Sequence, residues 1–105
     1  MDFTAVFYDL PDGTKPALEF MLALDKKMRA KVVRAIGIIE DGGNSVREPY
    51  SKHLVDGIFE IRAEVGTDIS RVFYFFFTGK RFILTHGFNK KTQKTPPSEI
   101  NRAKR

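Results

Sequence analysis

The spacing of apolar positions changes along the chain, and each change marks an element. Thr4 to Tyr8 is β-branched and aromatic and runs into Asp9-Leu10-Pro11-Asp12-Gly13, a dense turn signal, so it reads as a first strand. Ala17, Met21, Leu24 and Met28 then recur at helical spacing, with Leu18 and Leu22 beside them and Pro16 suited to a first turn behind a Thr14 cap. Asp25 can cap a second helix whose apolar stripe is Met28, Val32, Ala35, Ile36 and Ile39, and Gly42-Gly43 ends it. Such a helical hairpin needs a sheet to bury its apolar side.

The period then falls to two. Asn44 to Asp56 reads as a polar loop, after which Phe59, Ile61 and Ala63 alternate with Glu60, Arg62 and Glu64, giving one oily and one charged face. Ile69 to Thr78 is apolar on both faces except for Arg71, the pattern of a central strand, and Gly79-Lys80 turns the chain into Arg81 to Phe88. Short connections join these three strands as an antiparallel meander. Thr95-Pro96-Pro97-Ser98-Glu99-Ile100 reads as a cap and first turn of a short basic helix. The expectation is an α+β fold in a single domain spanning residues 1–105.

Composition narrows the chemistry. Cysteine is absent, which removes disulfides, Cys-ligated zinc and a thiol nucleophile together. The start, Met1-Asp2-Phe3-Thr4, lacks the basic and apolar regions of a secretory signal, so the expected location is cytoplasmic. The longest apolar run, Val72 to Phe77, is far below the ~20 residues of a membrane-spanning helix, and no membrane role is expected. Charge is divided unevenly. Residues 1–79 carry 10 Lys and Arg against 12 Asp and Glu, whereas residues 80–105 carry 8 against the single Glu99. A positive end of this kind attracts a polyanion, although a solvated tail or an anchor for an acidic protein has the same composition.

Two arginines stand out. Arg62 belongs to the polar set of its strand, and Arg71 is the lone charge in a greasy one, where a guanidinium must find an anion or emerge at a strand end. Ion pairing with Glu60, Glu64 or Asp68 is one solution; a shared groove holding a phosphate is the other. The stretch Gly87 to Thr95 follows the last strand and delivers Lys90, Lys91 and Lys94. His86 alternates with Leu84 and Phe88 and reads as a sheet residue, while His53 is freer. Neither a metal-ligand spacing nor a phosphate-binding glycine loop is present, and no cofactor is expected.

Taken together, Glu48-Pro49, Gly57-Ile58-Phe59-Glu60-Ile61-Arg62, Arg71 with Tyr74, and Phe88-x-Lys90-Lys91-Thr92-x-Lys94-Thr95-Pro96 resemble the RelE/ParE superfamily of type II toxins, and within it the phage-derived HigB-like subgroup. The resemblance covers nearly the whole chain. It implies a RelE-like microbial ribonuclease fold: an N-terminal strand, a two-helix hairpin, a three-stranded antiparallel meander and a short C-terminal basic helix. It also implies an endoribonuclease that cuts mRNA in the ribosomal A site, neutralised by a HigA-like helix-turn-helix antitoxin through which alone operator DNA is met.

Residue by residue, Arg71 matches the family arginine at the scissile phosphate, and Lys90 and Lys91 match the basic pair after the last strand. Glu48 is similar to the Glu-Pro carboxylate that serves as base in the YoeB branch, offset by about one residue. The strand lysines of RelE itself align with Ile58 and Glu60, and the C-terminal tyrosine or histidine of several relatives falls near Pro97. The expected reaction is attack of the ribose 2′-hydroxyl on the adjacent phosphate, with Arg71 and Arg62 stabilising the added charge, Glu48 ahead of Glu60 as base, and Lys90, Lys91 or His53 as acid. Lys52, His53, Lys80, Arg81, Lys94 and Arg102 are the further RNA contacts expected. The rival readings are a ParE-like inhibitor of DNA gyrase and a basic module that holds RNA without cutting it.

Overall fold

A computed structural model describes residues 2–89. The expected C-terminal helix, and with it Lys90, Lys91, Lys94 and Arg102, lies outside the described residues. In chain order the elements are β1 (Thr4–Phe7), α1 (Pro16–Ala23), α2 (Lys26–Gly42), a 3-10 turn (Gly43–Ser45), β2 (Ser51–Val55), β3 (Ile58–Val65), β4 (Asp68–Phe77) and β5 (Arg81–Asn89). The strands form one five-stranded sheet in the order β1-β5-β4-β3-β2, so β4 is central, as its two apolar faces require. β1 is parallel to β5, and every other neighbouring pair is antiparallel.

The meander therefore has four strands, not three. β2 lies within the stretch read as a polar loop, and it forms because Ser51 to Val55 supplies backbone pairing to β3 at the sheet edge, with Ser51 opposite Ile61 and Lys52 opposite Glu60. An edge strand needs few apolar side chains, so Lys52 and His53 can stay exposed.

Both helices cover one face of the sheet. Asp25 caps α2 by accepting the Met28 N–H at 2.9 Å. The cap expected from Thr14 is not made: Lys15 occupies that position without a side-chain bond, Pro16 opens the helix, and the Thr14 N–H is turned to Asp12. At the other end of α1 the Arg29 guanidinium donates to the carbonyls of Met21, Leu22 and Leu24 at 2.8 to 3.0 Å, satisfying groups that a helix terminus leaves open. The α2 stripe of Met28, Val32, Ala35, Ile36 and Ile39 is buried as its spacing predicts, against Ile61, Ala63, Val72, Tyr74, Phe82 and Leu84 of the sheet.

Pairing of β4 with β5 shifts register between Val72 and Tyr74. Tyr74 faces Leu84 on the helix side before the shift, and Val72 faces Gly87 after it, so β5 carries an extra residue and its side-chain alternation changes phase. Gly87 is required there: a Cβ at that position would stand 2.5 Å from the Phe20 ring of α1 and 2.9 Å from the Arg71 carbonyl oxygen.

On the helix side, the Tyr74 hydroxyl is buried against Ser51. Burial pushes this phenol up to about 12, with the Ser51 hydrogen bond and the Arg47 charge pulling the other way. The folded chain holds the phenol neutral where an unfolded chain, with its tyrosine at 10.0, already ionises it. This contribution to stability is thus complete below pH 10 and is lost as pH rises toward 12, amounting to roughly 2 to 3 kcal/mol at most. The unfolding free energy from urea titrations should fall more steeply with pH over that window in the wild type than in Tyr74→Phe; matching slopes against pH would assign the alkaline loss to other groups.

Candidate functional site

The sheet face turned away from the helices gathers the charges that the sequence singled out. Glu60 and Arg62 leave β3 on the side opposite Ile61 and Ala63. Register carries that side across the sheet: Glu60 pairs with Phe73, Arg62 with Arg71, and Arg71 with Phe88. Because of the β5 register shift, His86 joins this side as well. Its ring lies 5.1 Å from that of Phe73, and the Phe88 ring 5.6 Å away, so the phase read from Leu84 to His86 does not hold.

Glu60 is the centre of the arrangement. Arg62 donates to its Oε2 at 3.2 Å, and Nε of Arg71 stands 3.5 Å from its Oε1. The ion-pair alternative weighed for both arginines is therefore realised, through one carboxylate. Like charges directly opposite on neighbouring strands repel, and Glu60 between them offsets that repulsion. Burial pulls the Arg71 guanidinium below the ordinary arginine range; the Glu60 carboxylate opposes the shift and Arg62 adds to it.

Accessibility divides the two guanidiniums. The side chains of Glu60 and Arg71 are fully buried, whereas that of Arg62 is 19% exposed, so Arg62 is the one an incoming anion meets in this conformation. Arg71 is backed by the Phe88 ring, 5.9 Å from its guanidinium carbon. Ile58 and Phe73, with Leu54 and Phe88 beside them, form an apolar cluster around the charges. Glu60 thus belongs to a dry face, not to the solvent face that the alternation of β3 implies. The signal was present in β4: a strand apolar on both sides demands dry neighbours on both sides, and Glu60 lies directly across from Phe73.

Of the other expected residues, Lys52 adjoins the cluster and the rest are dispersed. Lys52 lies opposite Glu60 on β2 and is exposed. His53 pairs with Phe59, its ring 5.0 Å away, on the opposite side of the sheet from the arginines. Glu48 sits in an exposed turn ahead of β2, where its bond to Pro49 is cis. Lys80 sits in the β4–β5 turn, and Arg81 opens β5 with its guanidinium carbon 5.4 Å from the Phe77 ring centre. That turn is six residues along β4 from Arg71, about 20 Å in an extended strand. On the helix side, a cleft of about 420 Å³ is lined by Leu24, Asp25, Met28, Asp68, Ser70 and Asn89, among others. Among the described residues, no group of three or more His, Asp or Glu is placed to hold a metal ion, and no helix is long and apolar enough to cross a membrane.

Residues 19–105 match the family model described as phage-derived protein Gp49-like (DUF891). The chain belongs to this family. The Gp49-like match takes in Glu60, Arg62 and Arg71 together with both sides of the sheet that positions them, and it leaves out β1. No curated protein matches the chain.

Removing one partner from a buried charge cluster leaves the remainder uncompensated. Arg71→Met should lower stability by about 3 kcal/mol in urea unfolding, the lower end for a broken buried pair because Glu60 retains Arg62. Adding Glu60→Met to that variant should recover part of the loss. A single-variant effect within about 0.5 kcal/mol of zero would mean the pair carries no structural weight.

Proposed function

We propose that this Gp49-like chain is the toxin of a type II toxin-antitoxin pair: a HigB-like endoribonuclease of RelE-like fold that cuts mRNA in the ribosomal A site. The observation that carries the reading is the placement of Arg62 directly across from Arg71 on one dry sheet face, with Arg62 the partly exposed member of the pair. Planar forks in such a setting suit a phosphodiester, and their donors are oriented before the substrate arrives.

The chemistry is transfer within the RNA. The ribose 2′-oxygen bonds to the adjacent phosphorus as the bond to the 5′-oxygen breaks, leaving a 2′,3′-cyclic phosphate and a 5′-hydroxyl. Arg62 meets the non-bridging oxygens as charge builds on them, and Arg71, held behind it by Glu60, adds its positive charge at short range. Glu48 is the candidate base. Lys90 and Lys91 are the candidate acids, since His53 lies on the other side of the sheet. An exposed carboxylate is a weak base at neutral pH, so alignment of the RNA by the ribosome supplies much of the rate. The toxin acts in the cytoplasm, and its neutraliser is a HigA-like helix-turn-helix antitoxin, which also carries the pair to operator DNA.

The test is primer extension on transcripts from cells expressing the chain, followed by cleavage of ribosome-bound mRNA in vitro. Wild type should cut within codons, and Arg62→Ala should lose cleavage by roughly 10²- to 10³-fold while circular dichroism shows the fold retained. Intact transcripts with a DNA-damage response would favour gyrase inhibition, and intact transcripts with salt-sensitive RNA binding would reduce the chain to a binding module.

A further inference from the structure

The nuclease reading leaves Glu60 without a part in the reaction, although it is the most enclosed acidic side chain of the face. A base must come within hydrogen-bond reach of the 2′-hydroxyl, directly or through one water. Glu60 is fully buried, and each of its carboxylate oxygens is turned to a guanidinium, one to Arg62 and the other to Arg71. Those contacts hold two long, rotamer-rich side chains that would otherwise repel across adjacent strands. Ile58 and Phe73 keep the surroundings apolar, which strengthens the contacts.

We propose that Glu60 is a positioning residue: it fixes the Arg62 guanidinium relative to Arg71 in the geometry that meets the phosphate, and it takes no proton from the RNA. The inference rests on the nuclease reading for its consequence, but the constraint itself is a property of the free protein. The Arg62 and Arg71 forks are braced on the protein side by Glu60, and Arg71 additionally by the Phe88 ring. The solvent-facing part of Arg62 then has one orientation, and the transition state gains donors that need no rearrangement.

Two measurements judge it. In the uniformly ¹⁵N-labelled wild type, the Arg62 side-chain N–H signals, assigned with Arg62→Ala, should be dispersed and slow to exchange; signals averaged to the free-arginine position would overturn the proposal. In the cleavage assay, Glu60→Gln, which keeps the shape and removes the charge, should lower kcat roughly ten- to a hundredfold and change KM less than about threefold. It should also leave the acidic limb of the pH-rate profile in place, and it should have little further effect in an Arg62→Ala background. Disappearance of that limb would make Glu60 the base, and wild-type rates in Glu60→Gln would remove it from the site; either result defeats the proposal. If Glu60→Gln does not fold, Glu60→Asp, which keeps the charge but withdraws it by one methylene, should show the same loss of kcat. If the wild type itself does not cleave RNA, the nuclease reading falls, and the Arg62 signals alone decide whether Glu60 holds the guanidinium.

Discussion

Three charges on an apolar sheet face must satisfy one another or the face cannot close, and the rest of the structure is arranged around that requirement. A guanidinium in dry surroundings is expensive without an anion, and Arg71 is enclosed completely. Glu60 supplies the anion, but it also reaches Arg62, so one carboxylate ties the side chains of two strands together. Strand register makes this possible: β3 places Glu60 opposite Phe73 and Arg62 opposite Arg71, and a slip of β3 by one residue would send Glu60 and Arg62 into the helix-packed core and leave Arg71 without its carboxylate.

The helix side resists such a slip from behind. Gly87 lets the Phe20 ring of α1 lie against β5, and the same stretch of β5 contains the register shift that moves His86 and Phe88 onto the charged face. A regular strand would have put His86 among the helix-facing residues and removed the aromatic neighbour of Phe73. The irregularity in β5 therefore decides which side chains surround Arg71, and the close approach of Phe20 to Gly87 lies beside it on the opposite face.

Much of this was legible in the amino-acid sequence. The helical stripe from Met28 to Ile39, the Asp25 cap and the central position of β4 all follow from periods and residue types that act locally. What stayed hidden depended on partners distant in sequence. β2 has two exposed polar residues at its centre and exists because β3 offers it a free edge, which no window over Ser51 to Val55 contains. The register shift in β5 arises from pairing and leaves no periodic trace in a short apolar strand. Glu60 was the instructive case: read along its own strand it belongs to a solvent face, and read against the greasy neighbour across the ladder it cannot. Arg62 and Arg71 were identified from their residue type and their places in the strand pattern, but their common carboxylate required the fold.

Charge at two length scales completes the picture. The cluster of Glu60, Arg62 and Arg71 has a net charge of only +1, too little to draw a polyanion from a distance, yet each guanidinium stands within 3.5 Å of the Glu60 carboxylate, where orientation counts most. The sequence beyond β5 has the opposite character: residues 90–105 hold six Lys and Arg against Glu99, a net +5 on sixteen residues. Exposed charges act over about 8 Å at physiological salt and are weakened by more of it, whereas a dry cluster is screened much less. Under the nuclease reading, salt should therefore govern how often RNA is captured, while the enclosed cluster governs what happens once a phosphate has arrived. Attraction can vary with the basic residues of the chain's end, but the geometry at the phosphate cannot vary without disturbing the sheet that folds around it.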